Sequence, residues 1–124
     1  MISGFENLGN DLSINDYQLT ANETAIYPDN GEASTAAINY CVLGLVGEAG
    51  EIANSFKKAI RDENGVVTGE KAKALAAELG DVLWYAANLA SELGYPLELI
   101  AKQNLQKLKS RQARGVIAGS GDNR

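Results

Sequence analysis

Four carboxylates are placed in two pairs of equal spacing. Glu48 and Glu51 stand three residues apart in Gly44-Leu-Val-Gly47-Glu48-Ala-Gly50-Glu51, and Glu78 and Asp81 stand three apart in Glu78-Leu-Gly-Asp81. Both segments read as helix, where positions i and i+3 share a face. Two antiparallel helices of this kind bring all four groups into one cleft. Like charges about 4 Å apart repel by roughly 4 kcal/mol at an effective dielectric near 20. A divalent cation offsets that repulsion, and an all-oxygen ligand set selects Mg²⁺, Mn²⁺ or Ca²⁺. A solvated acidic face is the structural alternative for either pair taken singly. The repeat of the spacing on two helices, beside Gly44, Gly47, Gly50 and Gly80, favours a site. Glycine inside a helix costs about 1 kcal/mol against alanine, and close helix packing or room for a ligand offsets it.

Positioning these groups requires long helices, and the periodicity supplies them. Leu12 to about Tyr27 reads as a first helix, with Asp11 or Ser13 as its cap. Pro28 and Asn30-Gly31 stop it. Ser34 to about Arg61 is a long second helix, with Ile38, Cys41, Leu45, Ala49, Ile52, Phe56 and Ala59 stepping by three or four. Asp62 to Gly65 is a turn, and Val66 to Gly69 reads as a short extended piece. Glu70 to Leu93 is a third helix, Gly94-Tyr95-Pro96 a break, and Leu97 to about Arg114 a fourth helix. On the second and third helices the polar stripe runs along the same flank of the apolar seam. Packing the seams therefore brings the carboxylates side by side. Residues 1–10 read as a loose lead-in and 115–124 as a flexible tail. The whole chain, 1–124, reads as one all-α domain.

Composition narrows the function. There is no histidine, which removes His-ligated zinc, His acid–base chemistry and the Glu-x-x-His di-iron bundle. A net charge of −5 argues against a nucleic-acid polymer as partner. It leaves room for a nucleotide arriving with its metal. The single Cys41 excludes a disulfide framework and reads as a small core residue. No signal peptide and no membrane-length apolar run is read, so a cytoplasmic protein without a membrane partner is expected.

A second polar stripe, Asn104, Lys107, Arg111 and Arg114, lies on the fourth helix. Its cations suit phosphate oxygens, although the helix dipole alone also favours cations there. Lys57 and Lys58 carry the same ambiguity. Trp84 falls opposite the core stripe of its helix, which suits a subunit interface or a base-stacking platform as well as packing. Tyr17 and Gln18 on the first helix carry polar groups able to read a base edge.

At Glu48-Ala-Gly-Glu51 and Glu78-Leu-Gly-Asp81-Val-Leu-Trp84-Tyr85 the chain resembles the MazG-like nucleoside triphosphate pyrophosphohydrolases, an all-α superfamily. The resemblance extends over Leu12 to Arg114, and Asn104-Leu-Gln-Lys107-Leu-Lys-Ser-Arg111 is similar to the family's last helix. It implies a four-helix fold whose antiparallel helices complete a bundle with a second subunit, in a homodimer or a homotetramer. It implies Mg²⁺, with Mn²⁺ as substitute, held by Glu48, Glu51, Glu78 and Asp81, one of which can also orient the attacking water. It implies hydrolysis of a (d)NTP to (d)NMP and pyrophosphate. Lys58, Asn104, Lys107 and Arg111 are then the phosphate-binding candidates, and Gln18 and Trp84 the base-contacting ones. A phosphoribosyl-ATP pyrophosphatase and an alarmone hydrolase are alternatives in the same superfamily. A non-enzymatic helical interaction module is the alternative outside it.

Overall fold

The computed structural model describes residues 11–124. The expected lead-in, 1–10, lies outside the described residues. Four helices follow in order: α1 (Ile14–Glu23), α2 (Thr35–Glu63), α3 (Gly69–Glu92) and α4 (Leu97–Ala113). Three of them start on a hydroxyl cap. The Oγ of Ser13 accepts from the Asp16 N–H, that of Ser34 from the Ala37 N–H, and Oγ1 of Thr68 from the Lys71 N–H. Each cap satisfies one of the backbone donors that a helix start leaves free. α2 ends on left-handed Asn64, and the Gly65 N–H returns to the Ala59 carbonyl at 3.0 Å.

α1 is shorter than its periodicity predicts. It stops at Glu23, not near Tyr27, because the Thr24 hydroxyl bonds the Ala21 carbonyl at 2.8 Å and competes with the helical ladder. The chain then turns so that Ala25 and Tyr27 go inward while Ile26 faces out. Residues 66–68 belong to neither helix, and Thr68, extended as expected, also serves as the α3 cap.

α2 and α3 form an antiparallel hairpin. Near its closed end Lys71 meets Glu63 at 3.9 Å. Further along, Glu48 meets Glu78 and Asp81, and further still Gly44 and Tyr40 meet Tyr85. α1 packs across α3 and also touches α4, while α4 makes no packing contact with α2 among the described residues. The core is built from Ala25, Tyr27, Ala37 and Cys41, with Trp84 and Leu89 against them. Tyr27 stacks on Tyr40 at 5.2 Å and meets Trp84 edge-on at 6.4 Å. Cys41 is a buried free thiol, as expected.

Buried polar groups tie this frame together. The Glu92 carboxylate is 3% exposed. It accepts from Tyr27 Oη at 2.8 Å, the Gly31 N–H at 2.7 Å and the Ala33 N–H at 2.8 Å. It thereby fixes a turn containing left-handed Asp29, Gly31 and Ala33. Asn88, fully buried, accepts from Asn22 and donates to the Trp84 carbonyl.

Large apolar side chains remain exposed on the single chain, among them Leu43 (72%), Val46 (66%) and Leu79 (59%). Contrary to the sequence reading, α2 is long and apolar enough to cross a membrane by length and composition. Its apolar residues surround the helix, and α3 covers one side only.

Candidate metal centre

The hairpin brings three of the four carboxylates together. Glu48 on α2 and Glu78 and Asp81 on α3 each offer one oxygen, and these oxygens lie within 4.8 Å of one another. Glu48 and Glu78 are half-buried and Asp81 is exposed. Opposite oxygens around an ion bound at about 2.1 Å lie roughly 4 Å apart. The group could therefore hold a hard cation after small side-chain adjustments. Glu51 is exposed and stands outside the trio, although its charge is felt at Glu48.

Electrostatics report the same crowding. The Glu48 carboxyl is pushed above the usual carboxylate range. Partial loss of solvent comes first among the causes, then a carboxyl–carboxyl contact with Glu78, then the charges of Asp81, Glu78 and Glu51. The contact with Glu78 is a bond only while a proton is shared. A cation held there would take the place of that proton and offset the repulsion.

Aromatic side chains wall the site. Tyr85 packs against Gly44, one turn before Glu48, and an added Cβ at position 44 would overlap its ring. Tyr85 also lies 5.0 Å from Trp84, edge to face, and 6.3 Å from Tyr40. Tyr17 of α1 sits near Asp81: burial first, then the Asp81 charge, raises its phenol pKa. Sequence reading grouped Tyr17 with Gln18 and did not single out the Gly44–Tyr85 contact. The glycine one turn from Glu48 was the available signal.

The remaining candidates fall elsewhere. Gln18 is buried, with Nε2 donating to Ser91 Oγ at 3.1 Å and to the Tyr95 carbonyl at 3.0 Å. Its Oε1 accepts from the Leu97 N–H at 2.8 Å, so Gln18 clamps the α3–α4 turn. Trp84 does not lie away from the core. It packs on the core cluster, and its Nε1 donates to Thr24 Oγ1 at 2.8 Å. The helical wheel missed this because α3 is covered on two sides, by α2 and by α1. Lys58 is exposed on α2, and Asn104 and Lys107 are exposed on α4. Arg111 is buried against residues 121–122.

The model of the MazG nucleotide pyrophosphohydrolase domain matches residues 38–116, which include all four carboxylates and the whole of α4. The gene 37 protein of Mycobacterium phage L5 is 53% identical over 114 residues, covering 91% of this chain and 100% of that protein. No solved structure matches. A hairpin that gathers acidic oxygens, inside a segment matched by that domain, makes this chain a member of the MazG nucleotide pyrophosphohydrolase family.

Proposed function

We propose that the protein is a divalent-metal-dependent nucleoside triphosphate pyrophosphohydrolase, converting a (d)NTP and water to a (d)NMP and pyrophosphate. The observation that carries the reading is the approach of Glu48, Glu78 and Asp81 oxygens within 4.8 Å. These residues would hold Mg²⁺, or Mn²⁺ in its place, with Glu51 as the fourth ligand. When bound, the ion lowers the pKa of water and neutralises charge on the leaving pyrophosphate. The chain's own carboxylates do the rest. One that is not spent on the ion accepts a proton from the attacking water, a role open to carboxylates in a chain without histidine. Lys58, Asn104, Lys107 and Arg111 are the candidates for the phosphate oxygens. Tyr17 and Tyr85, beside the carboxylates, restrict water access.

The working unit in this reading is a homodimer or a pair of dimers. Exposed Leu43, Val46 and Leu79 supply the apolar face, and α4 of a single chain does not reach α2. A second copy covers the first and brings its own α4. A cytoplasmic location belongs to the same reading, because nucleoside triphosphates are held there.

The deciding experiment is a hydrolysis panel of NTPs, dNTPs, phosphoribosyl-ATP and guanosine tetraphosphate with Mg²⁺, with products separated by chromatography. Nucleoside monophosphate plus pyrophosphate is expected. Diphosphate plus phosphate overturns the reaction. Turnover confined to phosphoribosyl-ATP or to the tetraphosphate reassigns the substrate within the superfamily. No turnover together with no metal binding leaves a helical interaction module.

A further inference from the structure

Cations gather where α4 meets residues 115–124. Arg111 is 4% exposed. Its Nη2 donates to the Asp122 carbonyl at 2.8 Å, to Asp122 Oδ1 at 3.2 Å and to the Gly121 carbonyl at 3.4 Å. Lys107 Nζ reaches the same Oδ1 at 3.4 Å. Arg114 donates to the Arg124 carbonyl, and Arg124 closes the segment onto the carbonyls of Val116, Ile117 and Gly121. Asp122 is the one acidic side chain in 115–124. A segment expected to be a flexible tail is thus folded onto α4 around a single carboxylate.

Two details make this more than a surface ion pair. The Arg111 Nε is buried without an acceptor among the described residues. A buried donor left unspent is costly, and it suits one more anionic oxygen than Asp122 supplies. Asp122 itself is 84% exposed in its side chain. An anion from solvent can therefore reach the same cations, and a half-exposed pair is weak enough to displace.

We propose that Lys107 and Arg111 form an anion site which the chain's own Asp122 occupies, and that a polyphosphate must displace this carboxylate to bind. The inference deepens the phosphate role given to α4 above and rests on it. Its consequence is a threshold. Asp122 is tethered, so its effective concentration is high. A singly anchored anion such as a monophosphate competes poorly. A triphosphate, with more charge and more oxygens for the arginine fork, wins. The strap favours triphosphate entry and hastens departure of the monophosphate product.

The test uses the full chain with inorganic tripolyphosphate and no metal, read by calorimetry and by amide exchange. Asp122→Asn is expected to bind tripolyphosphate roughly fivefold more tightly, the scale of a partly exposed ion pair. Lys107→Gln is expected to bind it more weakly. Tripolyphosphate is expected to speed exchange at residues 116–124 of the unaltered chain. Equal or weaker binding by Asp122→Asn, with its helical circular dichroism intact, overturns the strap, and so does unchanged exchange of the tail. Tighter binding by Asp122→Asn without hydrolysis of any nucleotide keeps the strap and removes the catalytic reading. Hydrolysis with no gain in Asp122→Asn does the reverse.

Discussion

Gly44 of α2 lies in direct contact with the ring of Tyr85 of α3, where no side chain of any size fits. The contact is one turn from Glu48 on one helix and one turn from Asp81 on the other. It therefore sets the separation of the two helices at the level of the carboxylates. Tyr85 cannot easily yield, being held between Trp84 and Tyr40.

Gly44→Ala is accordingly expected to destabilise the fold by about 1–3 kcal/mol, the usual cost of overpacking. Metal affinity should fall with it. Adding Tyr85→Ala to Gly44→Ala should recover part of both losses. Thermal melts and Mn²⁺ titrations of the single and double variants check this. Undiminished metal affinity in Gly44→Ala disconnects the contact from the site.

The raised pKa of Glu48 has a definite sign. In the metal-free fold its charged form is disfavoured, so it contributes most favourably when protonated, and this contribution is lost as pH rises through the raised value. Glu48→Gln should raise Tm at neutral pH without metal, and the gain should fade on acidification. Metal must displace the proton. Binding should weaken as pH falls, and calorimetry in two buffers of different ionisation enthalpy should show proton release. Identical heats in both buffers contradict the assignment.

Glu51→Gln is expected to abolish metal-dependent turnover while leaving helical circular dichroism unchanged. Glu78→Gln should do the same, with a loss of at least about 100-fold, as expected where a charge-stabilising group is removed. Pyrophosphate release measured beside the spectra decides. Unaltered turnover in Glu51→Gln alone removes Glu51 from the site and leaves the trio standing.

Glu92 carries a structural prediction. Burial by itself pushes its carboxyl up, but the hydrogen bonds from Gly31, Tyr27 and Ala33 together hold it below the usual range. A lowered carboxyl stabilises the fold above its unfolded pKa, and that stability is lost as pH falls through the lower, folded value. Glu92→Gln should cost roughly 2–4 kcal/mol, the scale of an uncompensated buried group. Urea melts at neutral and acidic pH check it: the gap between Glu92→Gln and the unaltered chain should close in acid. A gap that persists there points to packing, not charge.

The helices and the carboxylate pairs were legible because both are local. Ser34 announces a helix start, Gly94-Tyr95-Pro96 announces a break, and spacing alone places Glu78 beside Asp81 on one face. What stayed hidden depends on partners far along the chain. Gln18 reads as a free amide until Ser91, Tyr95 and Leu97 arrive to use it. Arg111 reads as a free cation until Asp122 folds back. Trp84 reads as outward because a wheel assumes one covered side, whereas α1 supplies a second. The end of α1 was missed because the Thr24 hydroxyl interrupts a hydrophobic period that continues past it.

The turn at residues 64–68 also bears on the order of assembly. Glu48 and the Glu78–Asp81 pair belong to neighbouring segments joined by that one tight connection, so their encounter closes a short loop and is quick. Gln18, by contrast, must find Leu97 across most of the chain. The α2–α3 hairpin is thus positioned to form first. A cation captured there would act as a folding nucleus as well as a cofactor, accelerating refolding before α1 and α4 dock.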